Sequence, residues 1–285
     1  MNVLSLFDGM SCGQIALNRA GIKYDKYYAS EIDKFAIKVT QKNYPDTIQL
    51  GDITTVKSAD LPIIDLLIGG SPCQGFSFAG KQLKFEDPRS KLFFEYVRLL
   101  KECQPKYFLL ENVRMAKDCE AAISTILGEL YPESATQQTL SDPAKLEPIK
   151  INSALVSAQN RKRLYWTNIP GVQQPEDKGI YLKDILDESI LDVCTSPMTI
   201  RKKSKCVRSG GRNSPPGAKQ EWDNVYNSVI KDSDWRKLTP TECARLQTVD
   251  NHYLDGLSNS RKYKLLGNGW TVDVIAHIFK HIRNI

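Results

Sequence analysis

Two short segments carry side chains able to act together in covalent catalysis. Gly69-Gly70-Ser71-Pro72-Cys73-Gln74-Gly75-Phe76-Ser77 sets a cysteine in a Gly-Pro loop directly after an apolar run, and Glu111-Asn112-Val113 gives a second apolar run a polar ending. A thiolate is a strong nucleophile, and a loop at a strand terminus can hold it near a helix end or a cation that favours its ionisation. A carboxyl group beside it that holds or donates a proton completes the pairing needed to attack an electron-poor ring. An average single cysteine is a small buried hydrophobe. The loop, the small neighbours and the polar ending of the next run favour the catalytic reading of Cys73.

A second constellation points to a nucleoside. Phe7-Asp8-Gly9-Met10-Ser11-Cys12-Gly13 follows the first apolar run and opens a helical stretch. Glycines there let backbone pass close to a nucleotide at a helix N-terminus, although the spacing departs from G-x-G-x-x-G, so a pyrophosphate cofactor is not favoured. Glu31, roughly 20 residues on at the end of the second run, suits ribose hydroxyls. Asp52, in Gly51-Asp52-Ile53, suits an adenine amine. Each feature alone also fits a turn or a cap; three successive strand ends with Gly, Glu and Asp favour a nucleoside-bearing cofactor. His277 and His281 have the i, i+4 spacing of helical metal ligands, but no third ligand accompanies them, and surface positions are the reading adopted.

The elements that must hold these residues alternate. Val3–Phe7 reads as a buried strand, 14–20 as a helix ended by Gly21, 27–30 as a strand and 34–42 as a helix. Further strands are expected at 65–68 and 107–110, with a strongly amphipathic helix from about Lys91 to Cys103 between them. This is a doubly wound α/β fold with a mostly parallel sheet, whose ligands bind at the carboxyl ends of the strands. Beyond Tyr131-Pro132 strands are expected at 148–155 and 164–167, and helices at 239–246 and 272–282. The stretch between has Pro, Gly and basic residues with little periodicity. The expected organisation is a catalytic and cofactor-binding domain over 1–169, a small loop-rich lobe over 170–236, and a segment over 237–285 returning to the first domain.

Length and composition agree: 285 residues, 41% hydrophobic and 25% charged, exclude fibrous and low-complexity classes. No apolar run reaches the roughly 18–20 residues that cross a bilayer, and the N-terminus lacks signal-peptide features, so a cytoplasmic protein is expected. The seven cysteines include no C-x-x-C pair, which favours free thiols over disulfides or structural zinc. Net charge is +6, and the run Arg201-Lys202-Lys203-Ser204-Lys205-Cys206-Val207-Arg208, followed by Arg212, contains no acid. That pattern is either a solvated loop or a polyanion contact.

The ordered motifs Phe7-Asp8-Gly9, Ser71-Pro72-Cys73-Gln74, Glu111-Asn112-Val113, Gln159-Asn160-Arg161-Lys162-Arg163, Leu238-Thr239-Pro240-Thr241-Glu242-Cys243-Ala244-Arg245-Leu246-Gln247 and Leu266-Gly267-Asn268-Gly269 resemble those of the DNA cytosine-5 methyltransferase family. Leu92-Phe93-Phe94-Glu95, Tyr165–Gly171 and Trp270-Thr271-Val272 look closest to the catalytic domain of the mammalian de novo enzymes, without their regulatory domains. The compact chain fits a bacterial or phage modification enzyme, and no feature identifies a partner endonuclease.

The resemblance implies a Rossmann-like S-adenosylmethionine-dependent methyltransferase fold with a small target-recognition lobe. It implies Cys73 as the nucleophile, Glu111 and Arg163 as holders of the base, and Arg161 as their support. It also implies a site for S-adenosylmethionine, released as S-adenosylhomocysteine, lined by Phe7, Asp8, Gly9, Met10, Glu31, Ile32, Asp52, Ile53, Asn268, Gly269 and Trp270, with no metal. Double-stranded DNA is the implied partner. Candidate contacts are Gln74, Ser77 and Arg89 on the loop after Cys73, and Arg201, Lys203, Arg208, Arg212 and Asn213 in the recognition region, with phosphate contact the plainer reading of the latter. A short region implies a short target. An RNA-modifying branch typically carries Cys-Phe-Thr, which is absent here; a catalytically dead DNA-binding scaffold would not need Cys73, Glu111, Arg161 and Arg163 together. Phe94 shares a stripe with Arg98 and Lys101. An isolated exposed phenylalanine is the plainer reading of it, and a weak homo-oligomer through this helix is what the resemblance adds.

Overall fold

The computed structural model describes residues 1–71, 88–136, 143–187, 202–207 and 238–283, the side chains of 88–90 excepted. Cys73, Gln74, Ser77, Arg201, Arg208, Arg212 and Asn213 lie outside the described residues, as does the side chain of Arg89.

Seven strands form one sheet: β1 (Asn2–Leu6), β2 (Lys26–Ser30), β3 (Ile48–Gln49), β4 (Leu66–Gly69), β5 (Tyr107–Val113), β6 (Ile149–Asn152) and β7 (Lys162–Thr167). Their order is β3-β2-β1-β4-β5-β7-β6. The first five pair in parallel, β7 runs antiparallel to β5, and β6 antiparallel to β7. The helices are α1 (Cys12–Ala20), α2 (Lys34–Asn43), α3 (Pro88–Cys103), α4 (Lys117–Leu130), α5 (Pro240–Leu246), α6 (Asn259–Asn268) and α7 (Val272–Phe279).

The central strands are apolar at consecutive positions because both of their faces are covered. Val3, Tyr27, Ala29, Leu66, Ile68 and Leu109 pack into one core with Leu17 of α1, Val39 of α2 and Ile275 of α7. Leu4, Leu6, Tyr28, Leu67, Phe108 and Leu110 face the other core, with Phe93, Tyr96 and Leu99 of α3 and Ile123 and Leu127 of α4. Alternation along each strand thus divides one hydrophobic run between two layers of helices.

Close approach of α1 to the sheet depends on Gly13, where a Cβ would lie 2.5 Å from both Ile68 Cδ1 and Tyr27 Oη. The helix ends at Gly21, with φ 72° and its N–H donated to the Asn18 carbonyl, a left-handed cap. Helix α7 packs on α1, where Arg19 and Asp273 form an ion pair of 2.7 Å. Phe94 is half-buried rather than isolated on the surface: it packs edge-on to Phe93, ring centroids 5.3 Å apart, against the α3 core. No helix among the described residues is long and apolar enough to cross a membrane.

The strand order reverses where β1 and β4 lie side by side, leaving a crevice beyond their carboxyl ends. The loop after β1, the Ser71 segment after β4 and Glu111 on β5 all reach that edge.

Candidate active site

Between β1 and α1 the backbone turns sharply. Phe7, Gly9 and Ser11 have φ of 58°, 62° and 62°, a left-handed conformation costing of order 1–3 kcal/mol for a residue other than glycine. Surrounding bonds hold it: Asp8 N–H donates to the Ser30 carbonyl and Ser11 N–H to the Asp8 carbonyl, each at 3.1 Å. This turn buries Asp8. Its Oδ1 accepts from the Tyr27 hydroxyl at 2.8 Å, while Oδ2 is enclosed with no hydrogen-bond partner. Burial pushes the Asp8 carboxyl from its ordinary 3.8 up to about 6; the bond from Tyr27 pulls the other way, and the charge of Glu31 adds to the rise.

Glu31 stands at the end of β2 and ties two loops together. Oε2 accepts from Gly9 N–H at 2.8 Å, and Oε1 accepts from the N–H groups of Ile32 and Asp33 at 2.8 and 2.7 Å. Ile32 beside it is 74% exposed, a large apolar side chain turned outward at the edge of the crevice. Asp52 is exposed and caps the turn Ile53–Thr55, its Oδ1 accepting from the N–H and hydroxyl of Thr54, both at 2.9 Å. Those bonds draw its carboxyl below the usual range. Ile53 and Met10 place their side chains in the two cores. The turn around Ile53 is held from outside by Arg98 of α3, whose Nη2 donates to the carbonyls of Ile53 and Val56 at 3.3 and 3.0 Å.

Glu111, only 8% exposed, sits at the carboxyl end of β5 between two donors. Its Oε1 lies 2.9 Å from Nε of Arg163, and its Oε2 accepts from the indole N–H of Trp270 at 3.1 Å. The register explains the first contact. Tyr165 of β7 is opposite Glu111, so Arg163, two residues away, projects from the same face. Burial works against the charge on Arg163, but the Glu111 carboxylate outweighs it and holds the guanidinium above its ordinary value. Gly70 keeps the approach open, since a Cβ there would lie 3.0 Å from Trp270 Nε1 and 3.1 Å from Glu111 Oε2. Next to Glu111, Asn112 donates to the carbonyl and hydroxyl oxygens of Ser71 at 3.4 Å each. That bond anchors the chain two residues before Cys73. Each Glu111 oxygen retains acceptor capacity beyond the donor it already binds, so the carboxylate can take N–H groups from a planar ring.

Residues 1–177 and 159–284 match the family described as C-5 cytosine-specific DNA methylase. The chain belongs to that family. The type II methyltransferase M1.ScrFI of Lactococcus lactis subsp. cremoris is 31% identical over 307 residues, covering 96% of this chain and 75% of that protein. The type II methyltransferase M.NlaIV of Neisseria lactamica is 45% identical over 257 residues, 82% of this chain and 59% of its own length. The crystal structure of the S. pombe Dnmt2 methyltransferase superposes with a TM-score of 0.73 over 98% of this chain and 97% of that one, at 20% identity. At that identity the likeness is one of fold alone, a Rossmann-like sheet with helices on both faces.

Within this methylase, Arg161 and Lys203 are engaged by backbone. Arg161 is 4% exposed; its Nη1 donates to the Val207 carbonyl at 2.9 Å and to Cys206 Sγ at 3.2 Å, and its Nη2 to the carbonyls of Gly269 and Gly267 at 2.8 and 3.3 Å. It therefore joins the 202–207 segment to the loop that presents Trp270. Lys203 directs its ammonium to the carbonyls of Ala154, Ser157 and Ile180 at 2.6, 3.1 and 2.6 Å, which occupies all three of its donors. Asn268 is exposed at the end of α6, and Gly269 donates to the Leu265 carbonyl at 2.8 Å.

Sequence reasoning missed several positioning residues of the methylase. Gln159 donates to the Leu246 carbonyl at 2.6 Å and to Gln247 Oε1 at 2.8 Å and accepts from Val207 N–H at 3.2 Å; Gln247 donates to the Leu266 and Gly269 carbonyls. Both glutamines lie inside recognisable motifs, yet their contacts reach across 88 residues of chain. Among the described residues no cluster of three or more potential metal ligands occurs. His277 and His281 bond instead to the carbonyls of Gln173 and His277.

Proposed function

We propose that this chain transfers a methyl group from S-adenosylmethionine to C5 of a flipped-out cytosine in double-stranded DNA, in the cytoplasm of a bacterial or phage-infected cell. The observation that carries this reading is Glu111, a buried carboxylate fixed between Arg163 and Trp270 beside the segment leading to Cys73.

The cofactor fits the crevice. Glu31 suits ribose hydroxyls, Phe7 and the exposed Ile32 an adenine face, and Asp52 its amine, with Gly9, Met10, Ile53, Asn268, Gly269 and Trp270 around them. The enclosed, unpartnered Oδ2 of Asp8 suits a donor or positive group of the ligand. When bound, S-adenosylmethionine supplies an electrophilic methyl group on a sulfonium.

Cytosine C5 is too weak a nucleophile unaided. The Cys73 thiolate adds to C6 and drives electron density towards C5. Glu111 binds the N3 and N4 edge and stabilises a proton at N3, while Arg163 holds O2 and the charge that develops there. Arg161 keeps the Trp270 loop and the recognition segment in place around them. Loss of the C5 proton and expulsion of Cys73 restore the aromatic ring. A stacked base is out of reach of this edge, so the cytosine swings out of the duplex, with Gln74, Ser77 and Arg89 closing over it. Residues 170–236 read a short target, with Arg201, Arg208, Arg212 and Asn213 as contacts.

The reading is tested by methyl transfer from tritiated S-adenosylmethionine to duplex DNA and to transfer RNA, with Cys73→Ala as control. Label on DNA that vanishes in the variant supports it. Label on transfer RNA alone overturns the choice of substrate, and label on DNA that survives Cys73→Ala overturns the nucleophile.

A further inference from the structure

Arg163 is held by three acceptors of unequal strength. Its Nε meets Glu111 Oε1 at 2.9 Å, its Nη1 donates to the Lys162 carbonyl at 2.9 Å, and its Nη2 donates to Cys206 Sγ at 3.8 Å. The same sulfur accepts from Arg161 Nη1 at 3.2 Å. Its own proton is committed elsewhere: the thiol donates to the Val207 carbonyl at 3.4 Å, which leaves the sulfur lone pairs facing the two guanidinium groups. Cys206 is half-buried and stands 43 residues along the chain from Arg163. Among the described residues Glu111 is the one carboxylate paired with Arg163, and Arg161 has none. Two cations therefore share a neutral sulfur where an acid would bind them far more strongly.

We infer that Cys206 is a positioning residue for the base-binding edge, whose sulfur aims Nη2 of Arg163 at the O2 oxygen of the cytosine ring. A guanidinium carries a fork of N–H donors, and Nη1 and Nη2 each keep one for a ligand after the three contacts above. Sulfur is a weak acceptor, so it fixes the direction of Nη2 without drawing off the charge that must answer the charge developing at O2. A carboxylate in its place would form a charge-assisted bond about 1 Å shorter and pull the guanidinium towards itself. The 202–207 segment thereby sets Arg163 from outside the strand that carries it. This inference rests on the proposed reaction, in which Arg163 holds O2.

The experiment measures single-turnover transfer of labelled methyl to duplex DNA at saturating S-adenosylmethionine by the full chain. Cys206→Ala and Cys206→Asp are compared with wild type, and Cys206→Ala is repeated in an Arg163→Lys background. S-adenosylhomocysteine affinity and the urea midpoint are measured alongside. Cys206→Ala is expected to slow transfer about three- to tenfold, the loss of one weak contact. Cys206→Asp is expected to slow it about a hundredfold, as when a donor aimed at developing charge is taken away, although it binds both arginines more tightly and keeps the urea midpoint at or above that of Cys206→Ala. S-adenosylhomocysteine affinity should stay at the wild-type level in both. In the Arg163→Lys background there is no Nη2 to aim, so Cys206→Ala should bring no further fall. A bridge that merely held the fold would rank the variants the other way, with Cys206→Asp near wild type and Cys206→Ala slower and less stable. That ranking, or an equal effect of Cys206→Ala in both backgrounds, overturns the inference. Wild-type rates in both single variants remove the role of Cys206 and leave the proposed reaction intact, whereas a wild-type protein that transfers no methyl to DNA removes both.

Discussion

The indole N–H of Trp270 and the carboxylate of Glu111 meet at 3.1 Å, which links the segment after α6 to the carboxyl end of β5. In the proposed mechanism the ring of Trp270 faces the cofactor and its N–H the base. One residue thereby aligns the two halves of the reaction.

Trp270→Phe keeps an aromatic ring and removes the donor. Loss of one hydrogen bond to a charged group, roughly 1.5 kcal/mol, is expected to lower kcat about tenfold, with the KM for S-adenosylmethionine changed by less than about threefold. Steady-state kinetics with the cofactor varied decide it. A raised cofactor KM with kcat intact would assign Trp270 to cofactor packing alone.

Glu111→Gln retains the shape of the side chain but keeps only one of the two oxygens that accept from Arg163 and Trp270, and it cannot hold a proton on the ring. A fall in kcat of about 10²–10⁴-fold is expected, with DNA affinity close to wild type. Single-turnover transfer of labelled methyl measures it, and a variant within threefold of wild type would exclude Glu111 from proton handling.

Arg161 answers to stability as well as activity. Arg161→Ala leaves the buried carbonyls of Val207 and Gly269 without this donor, a loss of about 2–4 kcal/mol. Urea unfolding should show it as a lower midpoint with an unchanged slope. An unshifted midpoint would mean that other donors replace the guanidinium.

Asp8 predicts a pH dependence. Its carboxyl ionises at about 6 in the fold and at about 3.9 in an unfolded chain. A carboxyl raised in this way contributes stability that is complete below about pH 3.9 and is lost as pH rises through about 6. Relative to Asp8→Asn, which stays neutral, the wild type should lose about 2 kcal/mol between pH 4 and pH 7. Urea unfolding of the unliganded proteins at several pH values checks this. A difference that does not change with pH, or one of opposite sign, would refute the burial of Asp8 as its cause.

Much of the fold was legible because its first half is built from local signals. The buried strands at β1, β4 and β5, the Gly21 stop of α1, and the Thr239 cap with Glu242 that opens α5 can all be read from neighbouring residues. Helix α4 escaped notice because Ala116 precedes it and supplies no side-chain cap. The reversal at β7 escaped too, since antiparallel pairing with β5 is fixed by partners 50 or more residues away. At the site, the types and order of Glu31, Glu111 and Arg163 were readable. The engagement of Arg161 and Lys203 by backbone carbonyls was not, because a basic residue in a polar run gives no sign of which carbonyls will surround it once the chain closes.

In the proposed mechanism Cys73 attacks C6 while Glu111 and Arg163 hold the ring. Duplex DNA in which every cytosine carries fluorine at C5 tests it most directly, because fluorine cannot leave as the proton does and the Cys73–C6 bond is therefore retained. The expected result is a protein–DNA complex that survives denaturation, forms only with S-adenosylmethionine present, and maps by peptide mass spectrometry to Cys73. An adduct on any other cysteine, or none from protein that methylates ordinary DNA, would contradict it.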